Sequence, residues 1–149
     1  MYSYNFIIIY KKMFLEIDDD IDAEVYAKKT YERFHTNMNL ILKILPDTGL
    51  TFNDFMNSEP KELYEKIIKI DTLNNLFNKY VLSLKKSDML LISLTIDYTI
   101  NKDENPREIT NMIQKSNDKD IYNNFILVCV IWIKHVFIPI TLSKKNKSV

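Results

Sequence analysis

Three sets of residues in this chain could do chemistry. The first is the acidic run "EIDDDIDAE", with Glu16, Asp18, Asp19, Asp20, Asp22 and Glu24. Clustered carboxylates hold calcium when a loop also supplies a glycine at its sixth position and a glutamate at its twelfth. Counted from Asp18, those positions hold Ala23 and Lys29. The run therefore reads as the acidic start of a helix, where carboxylates favour the positive end of the helix dipole. The second set is Cys129 with the two histidines, His35 and His135. An i, i+6 offset points Cys129 and His135 to different faces of a helix, and neither histidine stands at metal-ligand spacing from a second His or Cys. The third is Asp103 and Glu104, which lie among opposite charges in a polar connection and read as a solvated loop. The expectation is a protein without catalytic residues, metal or cofactor.

A single glycine, Gly49, strengthens that expectation. Glycine provides the positive φ angles that phosphate loops and tight hairpins require. With one glycine there is no P-loop, no dinucleotide fingerprint and no nucleophile elbow, and hairpin-rich β folds are disfavoured. Twenty acidic residues balance twenty basic ones, which argues against a basic nucleic-acid-binding face. One cysteine in 149 residues gives no disulfide framework and fits a reducing compartment. Arg33 and Arg107 are the only arginines, while Asn, Ile, Lys and Tyr are abundant. These favoured residues have AT-rich codons and point to a low-GC genome.

The elements that must position any site are helical. Ala27, Tyr31, Phe34, Met38, Ile41 and Leu45 alternate spacings of four and three along one stripe, which Pro46 and Gly49 end. Thr51 is placed to cap a short turn through Phe55 and Met56. Ser58 and Pro60 open the next helix, with Leu63, Ile67 and Ile70 inward. Its outer face carries the i, i+4 pairs Glu62–Lys66 and Glu65–Lys69. Another begins at Asp71 or Thr72 and buries Leu73, Leu76, Phe77, Tyr80, Val81 and Leu84. From Ser87, a predicted cap, to Ile100 apolar residues occupy nearly every angle of the wheel, so this helix is expected to be surrounded by others. Asn105, Pro106 and Glu108 form a helix start ahead of Ile109, Met112 and Ile113. Asp118 or Asp120 starts the last helix. The expected fold is an all-α, single-domain bundle of about seven helices over residues 1–149. Residues 1–20 are a packed segment or an upstream extension with Met13 as the start, and 143–149 a disordered basic tail.

The last helix poses its own question. Phe125 to Leu142 is an apolar run in which Lys134 and His135 are the only basic residues and no acid occurs. A membrane span needs ~20 such residues, and Lys144, Lys145 and Lys147 would suit an anchor. Lys134 near its middle would cost ~2.5–3.5 kcal/mol on the insertion scale, and Pro139 lies inside it. Removing this stretch would also uncover the central helix. A core helix is favoured, with Trp132 among core neighbours and Cys129 an inert buried thiol.

The order of elements resembles the Bcl-2-like family, and with the low-GC coding, its divergent poxvirus branch of apoptosis and innate-immune signalling inhibitors. "TNMNLILKI" (Thr36 to Ile44), "DMLLISLTIDYTI" (Asp88 to Ile100) and "NPREITNMI" (Asn105 to Ile113) are similar to the corresponding helices, within a span from Val25 to Phe137. Cellular members carry Asn-Trp-Gly-Arg at the start of the central helix; here Leu84 to Leu90 reads "LKKSDML". The resemblance implies binding without catalysis: a host partner, either a death-motif helix held in a groove or a signalling adaptor bound on another face, to block apoptosis or NF-κB-type signalling. It implies a host-cytoplasm location, with a mitochondrial or other intracellular membrane as the alternative, and is compatible with a homodimer. A groove would be lined by Leu63, Ile67, Phe77 and Tyr80. The alternative function is a structural or assembly protein that acts by homo-oligomerisation, with or without a C-terminal anchor.

Overall fold

The computed structural model describes residues 23–101 and 107–147. The acidic start of "EIDDDIDAE", the segment 1–20, and Asn105 with Pro106 lie outside the described residues. Within them the protein is all-α. The helices are α1 (Ala23–Ile44), α2 (Phe52–Asn57), α3 (Pro60–Ile68), α4 (Asp71–Leu82), α5 (Lys86–Asn101), α6 (Glu108–Gln114), α7 (Ile121–Trp132) and α8 (Ile138–Lys147). A 3-10 turn (Leu45–Thr48) follows α1, and a π segment (Ile133–Phe137) joins α7 to α8 without a break.

The stripe on α1 packs as its period requires: Ala27, Phe34, Met38, Ile41 and Leu45 are buried. Pro46 tightens the chain into the 3-10 turn, and Gly49 closes it at φ 86°, a left-handed conformation that glycine adopts without a Cβ penalty. Thr51 caps α2 through a full capping box with Asp54. Two predicted caps fall differently. Ser58 closes α2 rather than opening α3, donating its N–H to Asp54, and Pro60 is the first residue of α3. Ser87 lies inside α5, where Asp88 reaches back to the N–H of Lys85 at 3.2 Å. Asp120, one of the two predicted starts, stands at the cap position of α7 but makes no side-chain cap bond; the turn before it is held by Asn117, whose Oδ1 accepts from the N–H groups of Lys119 and Asp120 at 3.0 and 2.9 Å.

Helix α5 is the central element. Met89, Leu91, Ile92, Leu94 and Ile96 are buried, and so are the polar Ser93, Thr95 and Asp97 between them. It lies against α1 and α6, and touches α7 and the π segment more lightly. Helix α7 packs chiefly on α3 and α4. Helices α5 and α7 thus meet only lightly.

The C-terminal apolar stretch forms much of the core. Phe125, Ile126, Val128, Cys129, Val130, Trp132, Ile133, Val136 and Ile138 are all buried in it. The continuous helix Ile121–Ser143 is long and apolar enough to cross a membrane, but half of its most apolar window is buried inside the bundle. The N–H of Ile138 reaches the carbonyl of Ile133, a π-type bond. This wide turn directly precedes Pro139, whose ring would crowd the carbonyl of His135 in a regular helix. The helix runs on to Lys147, so residues 143–147 are helical where a tail is expected. Ile140 and Leu142 stand 49% and 41% exposed where α8 leaves the bundle.

Candidate functional site

The four groove candidates lie on α3 and α4. Leu63, Ile67 and Phe77 are buried in the core, and Tyr80 is 7% exposed. All four face inward against the bundle, so none lines an open groove; a partner would reach them only if α3 and α4 parted. Tyr80 differs from the others in one respect. Its hydroxyl is buried and has no hydrogen-bond partner among the described residues. Burial, with Cys129 and Asp88 nearby, holds its pKa above the usual tyrosine range.

The remaining candidates for chemistry are spread apart. Cys129 is fully buried, and burial pushes its thiol well above the ordinary value, away from the thiolate a nucleophile needs. His35 sits on the outer side of α1, with Nδ1 3.1 Å from the Asn39 amide and its ring edge-on to Trp132 at 5.5 Å. His135 is exposed; partial burial, then the charge of Lys134, holds its pKa below the ordinary histidine value, against a smaller opposing effect of Glu59. Among the described residues no three His, Cys, Asp or Glu side chains converge as a metal site.

Sequence reasoning passed over the residues that do converge. Asp97 is the only acid inside the apolar run of α5, and it is 2% exposed. Its Oδ1 accepts the N–H of Ile109 at 3.2 Å, and its Oδ2 accepts the N–H and hydroxyl of Thr110 at 2.8 and 2.6 Å. The start of α6 is thus capped by a side chain from another helix. The local cap residue, Arg107, makes no side-chain cap bond. At the other end of α6, the Lys86 ammonium of α5 donates to the carbonyls of Gln114 and Ser116, both at 3.3 Å. An anion therefore meets the positive end of α6 and a cation its negative end. Lys86, Leu90, Ser93 and Asp97 follow one another at spacings of four, three and four, a single stripe of α5. The signal in the sequence was that stripe: polar residues at helical spacing within an otherwise apolar helix.

Two other polar residues tie helices together. Asp88 accepts the hydroxyl of Tyr26 at 2.5 Å, linking α5 to α1. Lys134 donates to the carbonyl of Ser58 at 2.5 Å, so the charge that disfavours a membrane span satisfies the end of α2. Trp132 donates its indole N–H to Tyr31 Oη at 3.0 Å and packs edge-on to Phe34 with ring centroids 5.1 Å apart. It is an interior residue of the aromatic core. No protein-family model, curated protein or solved structure matches this chain.

Proposed function

We propose that this protein acts by binding another protein rather than by catalysis, as a viral Bcl-2-like protein that engages a host death-motif helix or signalling adaptor. The observation that supports this reading is the central helix. In α5 the buried residues Leu91, Ile92, Leu94 and Ile96 run around the axis, and α1, α6, α7 and the π segment lie about them. A simple up-and-down bundle would have left one side of α5 open, against this reading. The test is titration of the purified full chain with death-motif helical peptides and with adaptor domains of the NF-κB pathway. Micromolar binding to either class supports the proposal, and no binding to any removes it.

A second reading rests on a different observation. Ile140 and Leu142 of α8, with Phe52 and Met56 of α2, are exposed large apolar residues. They suit a protein that assembles with copies of itself, with or without membrane attachment. Light scattering that shows a monomer at every concentration, together with free partition from vesicles, removes this alternative.

A further inference from the structure

Helix α6 is attached to the molecule unlike any other described helix. It has seven residues, of which Ile109 and Ile113 are the buried apolar ones. The chain on either side is polar: "NKDENPR" before it and "KSNDKD" after it. The bonds across the seam are polar, from Asp97 of α5 to Ile109 and Thr110 and from Lys86 to the carbonyls at the far end, and only Ile109 and Ile113 add buried apolar side chains from α6. Ser116 extends it, donating to the Met112 carbonyl and accepting from the Asn124 amide of α7 at 2.7 Å each.

An apolar seam resists opening because water gains nothing by entering it. A polar seam does not resist in the same way, since every group freed by opening finds water. The Asp97 carboxylate is the extreme case. Its three hydrogen bonds do not offset its desolvation, as the raised pKa of the carboxyl indicates. It regains hydration when the seam parts.

We propose that α6 is a releasable lid over the central helix, clamped at its two ends by Asp97 and Lys86, and that it opens as a unit while α1, α3, α4 and α7 stay packed. Opening bares the Leu90–Ser93–Asp97 stripe of α5 without unfolding the bundle. This inference rests on the seam alone and is independent of the identity of any partner.

The test is native-state hydrogen exchange on the full chain at fixed pH, read across the Asn111 to Lys115 amides, whose bonds close within α6 and its last turn. In the unmodified protein these amides exchange together, with a shared, shallow denaturant dependence, and faster than the interior amides of α4 and α7. Asp97→Asn speeds them about tenfold or more, the effect of weakening hydrogen bonds to a charged group, and leaves the α4 and α7 amides within about twofold once global stability is allowed for. Exposed Lys86→Met is the second variant; it speeds the same amides by a smaller factor and carries the test if Asp97→Asn does not fold. Exchange of α6 in step with α7 in the unmodified protein overturns the proposal. So does a variant that speeds every helix alike.

Discussion

On one side of the molecule, Phe34 of α1 stands among Tyr31, Tyr80, Phe125 and Trp132, with ring centroids 5.1 to 6.5 Å away. On the other side, α6 meets α5 through Asp97, Thr110 and Lys86. The two regions answer different physical demands. The aromatic side unites α1, α4 and α7 by removing large apolar surfaces from water, a non-directional interaction that strengthens with area. The α5–α6 seam buries Ile109 and Ile113 of α6 but no aromatic ring from it, and adds directed bonds to the two ends of one short helix. An aromatic block resists separation but tolerates small shifts. A clamp of charges fixes position within tenths of an ångström, yet separates when water can replace its bonds. Stability therefore resides mainly on the first side, and adjustable structure on the second.

The contrast is broken most severely at Phe34. Phe34→Ala removes the ring at the centre of the aromatic block and is expected to cost about 3–5 kcal/mol, a large part of the stability of a domain this size. Chemical denaturation followed by tryptophan fluorescence reads the loss directly, since Trp132 packs on Phe34.

A change of pH separates the two sides next. Burial raises the Asp97 carboxyl above the ordinary carboxylate value, and the neighbouring charge of Glu108 acts in the same direction, against the hydrogen bonds from Thr110 and Ile109. A carboxyl with a raised folded-state pKa holds its proton more tightly folded than unfolded. Its contribution to stability therefore grows as pH falls from the raised value toward the unfolded value near 3.9, and is least favourable above both. The stability difference between the unmodified protein and Asp97→Asn should vary with pH in that window and flatten above it. A difference that is constant between about pH 7 and about pH 4 contradicts this account.

The smallest effect is expected at Tyr80, which sets a polar group inside the aromatic side. Its ring belongs to the aromatic side, but its buried hydroxyl lacks a partner. Tyr80→Phe keeps the ring and removes a polar group whose burial costs about 1–3 kcal/mol when unpaired. The variant should be as stable as the parent or slightly more so, by thermal melting. A clear loss of stability would mean that the hydroxyl is bonded in solution. If the same variant also loses a partner that the parent binds, Tyr80 is part of that interface as well as of the core.

Cys129 provides a chemical check on the aromatic side. A fully buried thiol with a raised pKa should resist alkylation in the native protein and react on denaturation. Rapid labelling of the folded protein would mean that α7 is less tightly covered than its packing indicates.

Much of this architecture was legible in the residues themselves. The stripe from Ala27 to Leu45 names its buried face by period alone, and the all-round apolarity of Met89 to Ile96 names the helix that others must cover. Thr51 was readable as a cap because the capping box is local: both partners lie within three residues. Ser58 and Ser87 were misleading: Glu59 takes the cap position of α3, and Ser87 lies inside α5. The site fared differently. Leu63, Ile67, Phe77 and Tyr80 were readable as apolar positions on their helices, but whether such residues line a groove or fill a core depends on what lies opposite them. Here α7 lies against both helices that carry them.

By its sequence alone this protein is determined to be helical, because glycine occurs once, apolar residues recur at helical spacing and polar connections separate the periods. The same pattern determines which face of each amphipathic helix is buried. The partners of its isolated charges were decided only in three dimensions. Asp97 finds the start of α6 and Lys86 its end, while Lys134 finds the carbonyl of Ser58 just past α2, across separations of 12 to 76 residues. Helical periodicity specifies where a side chain points around its own axis. It carries no information about which backbone end another helix brings there, and the electrostatics of a helix end act only within about a turn.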